Sequence, residues 1–151
     1  MKKILILCTG NSCRSQMAEG FLKSFNTELK VYSAGTSPSQ QVHAKAIQVM
    51  NEIGIDISKA YPKHVNEFTT NDVDYMVTVC GDAKESCPVF TDKVQHRLHI
   101  GFDDPAEAIG TEDEILSVFR RVRDEIKNDF QNFYNNHINN ENERKEYQRH
   151  C

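Results

Sequence analysis

The first apolar feature of the chain is an unbroken aliphatic run, Ile4-Leu5-Ile6-Leu7, entered from Lys3. A run of strand length with no polar alternation predicts a β-strand covered on both faces. Cys8 to Ser12 is small and polar with one glycine and predicts a loop. From Ser15 the period becomes helical, with Met17, Ala18, Phe21, Leu22 and Phe25 on one face. Val31 to Ala34 predicts a second strand, stopped by Gly35 and the Thr36-Ser37-Pro38 cluster. Val42, Ala46, Val49, Met50 and Ile53 mark an amphipathic helix closed by Gly54. Tyr75 to Val79 is a third buried-type strand that runs directly into Cys80. Val94 to Ile100 is a weaker fourth, in which Gln95, Arg97 and His99 alternate with Val94, His96 and Leu98. From Asp113 onward, Ile115, Phe119, Val122, Ile126 and Phe133 recur at the spacing of a long helix.

Strands alternating with helices predict an α/β fold, a three-layer sandwich around a central four-stranded parallel sheet. Ligands of such sheets sit beyond the carboxyl ends of the strands. Cys8 follows the first strand and Cys80 the third, so both fall at the edge where a site is expected. After about Asn128 the composition shifts to Asn, Glu, Lys and Arg. The expected division is therefore a domain over residues 1–134 and a polar, solvated tail over 135–151, with extension of the last helix as the alternative.

Charge and composition narrow the function classes. Lys and Arg total 18 against 22 Asp and Glu, a net charge of −4, which argues against nucleic-acid and anionic-membrane partners. No apolar run approaches the roughly 18–20 residues that span a bilayer. The apolar stretch after Met1 is too short for a signal peptide. A cytoplasmic monomer is the expectation. Five cysteines (Cys8, Cys13, Cys80, Cys87 and Cys151) are then anomalous, because an odd count in a reducing compartment fits no closed disulfide framework. They point to chemistry.

The chemistry is concentrated after the first strand. Cys8-Thr9-Gly10-Asn11-Ser12-Cys13-Arg14-Ser15 has the form C-x5-R-S between a strand and a helix. Such a loop aims backbone N–H groups inward at a helix N-terminus and binds a tetrahedral oxyanion. Gly10 is expected to permit the curvature. Arg14 can grip two oxygens with its planar fork, and Ser15 can donate to a Cys8 thiolate, which the same field favours. The oxyanion-binding set is Thr9, Gly10, Asn11, Ser12, Cys13, Arg14 and Ser15. Cys13 is read as packing under the loop with no catalytic step.

This segment resembles the phosphate loop of low-molecular-weight protein tyrosine phosphatases and of the related thioredoxin-coupled arsenate reductases. Residues 8–20, Val31-Tyr32-Ser33-Ala34-Gly35 and Gly101-Phe102-Asp103-Asp104-Pro105-Ala106 are similar to the reductase branch in order and spacing. The resemblance runs from Lys3 to about Lys127. It implies the low-molecular-weight phosphatase fold and reduction of arsenate to arsenite, with Cys8 as nucleophile, Cys80 as first resolving thiol and Cys87 as second. It also implies thioredoxin as the electron donor and no bound cofactor. A helix over the six residues between Cys80 and Cys87 would span about 9 Å, beyond the roughly 7 Å Cα limit of a disulfide. That segment would therefore have to loop out on oxidation.

Asp104 matches the family's Asp-Pro general acid, with Asp103 as runner-up. The phosphatases place aromatic residues after that pair, whereas this chain has Ala106-Glu107-Ala108, which favours a small inorganic oxyanion over an aryl phosphate. Several reductases of this type hold potassium beside the loop. The matching residues are Asn11, Glu19 and Ser33, but Lys63 stands where the pattern has an acid, so a lysine paired with Glu19 is expected to replace the ion. His43, His64, His137 and His150 are read as solvated. Other readings are a phosphomonoesterase using Cys8, Arg14 and Asp104, a non-enzymatic thiol switch, and a zinc site from Cys80, Cys87, His96 and His99.

Overall fold

The computed structural model of the protein describes residues 2–68, 73–79 and 94–139. In chain order these form β1 (Lys3–Cys8), α1 (Arg14–Phe25), β2 (Lys30–Gly35), α2 (Ala44–Asn51), a 3-10 turn (Val65–Phe68), β3 (Val73–Thr78), β4 (Val94–His99), a second 3-10 turn (Pro105–Glu107) and α3 (Glu112–Phe133). The four strands lie in the order β2-β1-β3-β4, and every neighbouring pair is parallel.

Central β1 explains why its sequence is aliphatic without alternation. Successive side chains of a strand point to opposite faces, so Ile4, Ile6 and Cys8 enter one apolar cluster while Leu5 and Leu7 enter another. All four aliphatic residues are fully buried. The larger cluster receives Met17, Phe21 and Leu22 from α1, Val49 and Met50 from α2, and Phe119, Val122, Ile126 and Phe130 from α3. Burying each such side chain contributes roughly 1.5–3 kcal/mol. On the opposite face Val65 and Phe68 cover Leu5, Leu7, Ala34 and Met76. The result is the three-layer α/β arrangement expected from the pattern.

Helix boundaries follow from caps. Thr111 Oγ1 accepts the Glu114 amide at 3.2 Å, and Glu112, Asp113 and Glu114 load the first turn of α3 with negative charge, which its dipole favours. The second helix is shorter than its apolar spacing suggests. His43 Nδ1 accepts the Lys45 amide at 3.1 Å, so α2 begins after Val42, which is buried outside it. At the far end the Met50 carbonyl accepts the Ile53 and Ile55 amides, Gly54 takes φ +83°, and Ile53 turns outward, 38% exposed.

The polar stretch after Asn128 does not leave the core at once. The helix runs on through a π-helical turn, Tyr134–Asn139, and Ile138 is buried. His137, read as solvated, packs its ring 5.3 Å from Phe133 and 5.8 Å from Tyr75. The expected boundary at 134/135 thus falls inside a packed turn.

Candidate active site

The loop between β1 and α1 is held from outside by its carbonyls. Cys8 O accepts from Thr36 N at 3.3 Å, Thr9 O from Ser37 N at 2.9 Å, Gly10 O from Ser39 N at 2.9 Å, Ser12 O from His43 N at 3.0 Å and Cys13 O from Met17 N at 2.9 Å. Asn11 O accepts from Gln16 Nε2 at 3.1 Å. Every carbonyl from Cys8 to Cys13 is therefore engaged away from the loop centre. In a trans peptide the N–H points opposite to the preceding C=O, so the following amides turn toward the interior. Among them, Asn11 N donates to Cys8 Sγ at 3.0 Å.

Asn11 holds the curvature. It adopts φ +52°, the left-handed region that asparagine tolerates better than most residues. Its Nδ2 donates to Ser15 Oγ at 2.7 Å, and that hydroxyl lies 2.8 Å from Cys8 Sγ. Asn11 donates into the hydroxyl oxygen and leaves the Ser15 proton free to point at the sulfur. The expectation that Gly10 supplies the turn is corrected: it has no positive φ, and a Cβ there would meet two serine hydroxyls, Ser39 Oγ at 2.9 Å and Ser12 Oγ at 3.6 Å. The critical glycine is Gly35, paired with Cys8 across the sheet, where a Cβ would lie 2.4 Å from the Thr9 carbonyl oxygen.

Arg14, at the first turn of α1, spans the loop. Its Nη1 donates to Phe102 O at 3.2 Å and its Nη2 lies 3.5 Å from Asp104 Oδ2. Asp104 Oδ1 accepts the Ala106 amide at 3.0 Å, which caps the second 3-10 turn and fixes the carboxylate beside the loop. Asp103 instead pairs with Arg121 of α3 at 3.2 Å and faces outward. Cys13 is buried, and burial, the largest cause, pushes its thiol up to about 12; Cys13 stays protonated at neutral pH. His43 is not merely solvated. Its ring lies 4.9 Å from that of Phe119, and burial lowers its pKa, with Lys45 adding to the shift and Asp104 opposing it.

Behind the loop, Asn11 Oδ1 accepts from Lys63 N at 2.9 Å and from Gln16 Nε2 at 3.2 Å. Glu19 pairs with Lys23 at 2.9 Å, which corrects the expected Lys63–Glu19 pair. Lys63 Nζ donates to Tyr61 O at 2.9 Å and lies 4.8 Å over the Tyr61 ring. Burial lowers the Lys63 pKa, and Glu19 opposes that shift. Of the oxygens matching the family's potassium ligands, Ser33 Oγ is buried without a hydrogen-bond partner among the described residues. The others are occupied by N–H donors or an ammonium, and the fourth position carries a cation. This donor set does not fit potassium.

The structure thus brings together Cys8, Thr9, Gly10, Asn11, Ser12, Cys13, Arg14, Ser15 and Asp104. Cys80, Cys87 and Cys151 lie outside the described residues. Of the residues considered for zinc, His99 Nδ1 lies 2.7 Å from Thr78 Oγ1 and His96 stacks on Tyr75. No cluster of three metal-ligating side chains occurs among the described residues, and none of their helices is long and apolar enough to cross a membrane. Gln16 and Gly35 are site residues that the sequence reading missed. The only signals were a polar residue next to the loop and a glycine ending a strand.

A strand-to-helix loop that encloses a cysteine with turned-in amides, an arginine and an Asp-Pro turn defines a class. Residues 3–145 match the profile described as low molecular weight phosphotyrosine protein phosphatase, and the chain belongs to that family. Within it the chain is 49% identical over 133 residues to the arsenate reductase of Bacillus subtilis (strain 168), covering 87% of this chain and 94% of the relative. It is 51% identical over 126 residues to the arsenate reductase of Shouchella clausii (strain KSM-K16), covering 83% and 89%. Among solved structures it superposes with a TM-score of 0.74, at 34% identity, on an arsenate reductase in the phosphate binding state, covering 88% of this chain and 96% of that one.

Proposed function

We propose that the protein is an arsenate reductase that works through a three-cysteine relay regenerated by thioredoxin. The observation that carries the reading is the ring of outward-bonded carbonyls from Cys8 to Cys13, which presents amide donors to an oxyanion seated over the Cys8 sulfur. Those donors and Arg14 neutralise the anion. Asn11 N and Ser15 Oγ favour the thiolate. Cys8 Sγ attacks arsenic, and Asp104 supplies the proton with which one oxygen leaves as water. The Cys80 thiolate then attacks Cys8 Sγ. The S–As bond breaks, its electron pair stays on arsenic, and arsenite departs from a Cys8–Cys80 disulfide. Cys87 attacks Cys80 and frees Cys8. A thioredoxin dithiol reduces the resulting Cys80–Cys87 disulfide. The similarity to curated arsenate reductases supports the substrate.

A phosphomonoesterase is the second reading, because Cys8, Arg14 and Asp104 suffice for ester hydrolysis. Against an aryl ester, the turn after Asp104 is Pro105-Ala106-Glu107 and offers no ring to stack on. A thiol switch without turnover is the third. Arsenate-dependent NADPH oxidation with thioredoxin and thioredoxin reductase separates them. The wild type is expected to turn over continuously, Cys87→Ser to stop after about one equivalent, and Cys8→Ser to be inert. Absence of arsenate-dependent turnover in the wild type overturns the reading. Weak phosphatase activity alone does not, since the loop serves both reactions.

A further inference from the structure

Lys63 ties three parts of the site together. Its amide holds Asn11 Oδ1, and its carbonyl accepts Gly35 N at 2.8 Å. Its ammonium bonds Tyr61 O, the same carbonyl that accepts Gln16 Nε2 at 3.1 Å. Gln16 in turn holds both the carbonyl and the side-chain oxygen of Asn11. A positive charge is therefore fixed, through one shared carbonyl and one glutamine, behind the residue whose amide and side chain serve Cys8. A half-buried ammonium keeps its charge only with partners; here they are the Tyr61 carbonyl and ring, with Glu19 attracting from further off.

We infer that Lys63 is a positioning residue, the built-in cation of the anion loop, and that its ammonium makes the loop independent of potassium. Access does not limit the comparison with solvent ions. Glu19, Lys23, Tyr61 and Lys63 line an open groove of about 670 Å³, so small cations reach the cluster from bulk. Any monovalent ion that bound there would stabilise the folded state by mass action. The inference rests on the oxyanion-loop reading only in its affinity arm.

The test compares wild type, Lys63→Met and Lys63→Arg by melting temperature in potassium, sodium and choline chloride at constant ionic strength, and by titration with inorganic phosphate. The wild type is expected to melt within about 1 °C in all three salts. Lys63→Met is expected to melt lower in each and to bind phosphate about three- to tenfold more weakly, through loss of a nearby charge. Lys63→Arg restores both. A wild-type potassium-over-sodium rise above about 3 °C overturns the inference. So does Lys63→Met that matches the wild type, or Lys63→Arg that behaves like Lys63→Met. Failure of the wild type to bind phosphate would instead strike the loop reading, while the salt comparison would still decide the role of Lys63.

Discussion

One glycine lies within the loop between β1 and α1 and another lies against it, and their neighbours give them different weight. A methyl group at Gly35 would sit 2.4 Å from the Thr9 carbonyl oxygen, a backbone atom held by Ser37. At Gly10 the nearest obstacle is a serine hydroxyl, free to change rotamer. Gly35→Ala is therefore expected to cost about 2–3 kcal/mol, at the upper end for an overpacked site, and to weaken phosphate binding by displacing Thr9. Gly10→Ala should cost less than about 1 kcal/mol. Denaturant melts with a phosphate titration check both, and equal costs would refute the contrast. At this scale the sequence displays residue types well and contacts poorly. C-x5-R-S exposed Cys8 and Arg14, which the structure places at one loop. Gly10 drew the eye as the flexible residue of the loop, while the left-handed position belongs to Asn11 and the close approach to Gly35. Both depend on β2 lying against β1, a relation that no local pattern carries.

Elements were legible wherever burial imposed a period. The aliphatic run of β1 and the apolar stripes of α1 and α3 appear where the pattern puts them. The α2 stripe misleads because Val42 and Ile53 lie at helical spacing beyond both ends. What starts that helix is a side-chain cap, His43 Nδ1 on the Lys45 amide, and a cap of this kind fails when the ring gains a second proton. Because the folded ring has a pKa below its ordinary 6.5, the unfolded chain takes the proton first as pH falls. Stability is thus fully present above that value and declines below it, down to the folded pKa. His43→Asn keeps a good N-cap and removes the titration. Its melting temperature should fall less than that of the wild type between about pH 7 and pH 5.5. Parallel slopes in thermal melts would assign the acid sensitivity to other groups.

Across the whole molecule, α3 connects the end of the described chain to the reactive end. Phe130 stacks on Phe102 at 6.3 Å, and the Phe102 carbonyl receives Arg14, so helix packing positions the guanidinium. The stripe continues past Phe133 to Ile138, an interval of five that matches the π-helical turn. That change of period, in a polar background, is why composition alone placed a boundary at 134/135. A chain ending at 139 keeps Ile138 in its pocket and the 3.3 Å bond from Tyr75 Oη to His137 O, whereas one ending at 134 exposes Tyr75 and Phe133. The shorter chain should be less stable than the longer by about 2–4 kcal/mol, or roughly 5–15 °C in melting temperature. Ile138→Ala in the full chain should reproduce much of that loss. Because Ile138 lies in the turn that follows α3, eight residues beyond Phe130, phosphate affinity measured well below the melting temperature should stay within about twofold of the wild type for Ile138→Ala. A large affinity loss in that variant, at a temperature where it is still folded, would mean that the packing of α3 reaches the arginine more directly than through Phe102. Equal stability of the two truncated chains would place the structural end of the domain at 134 after all.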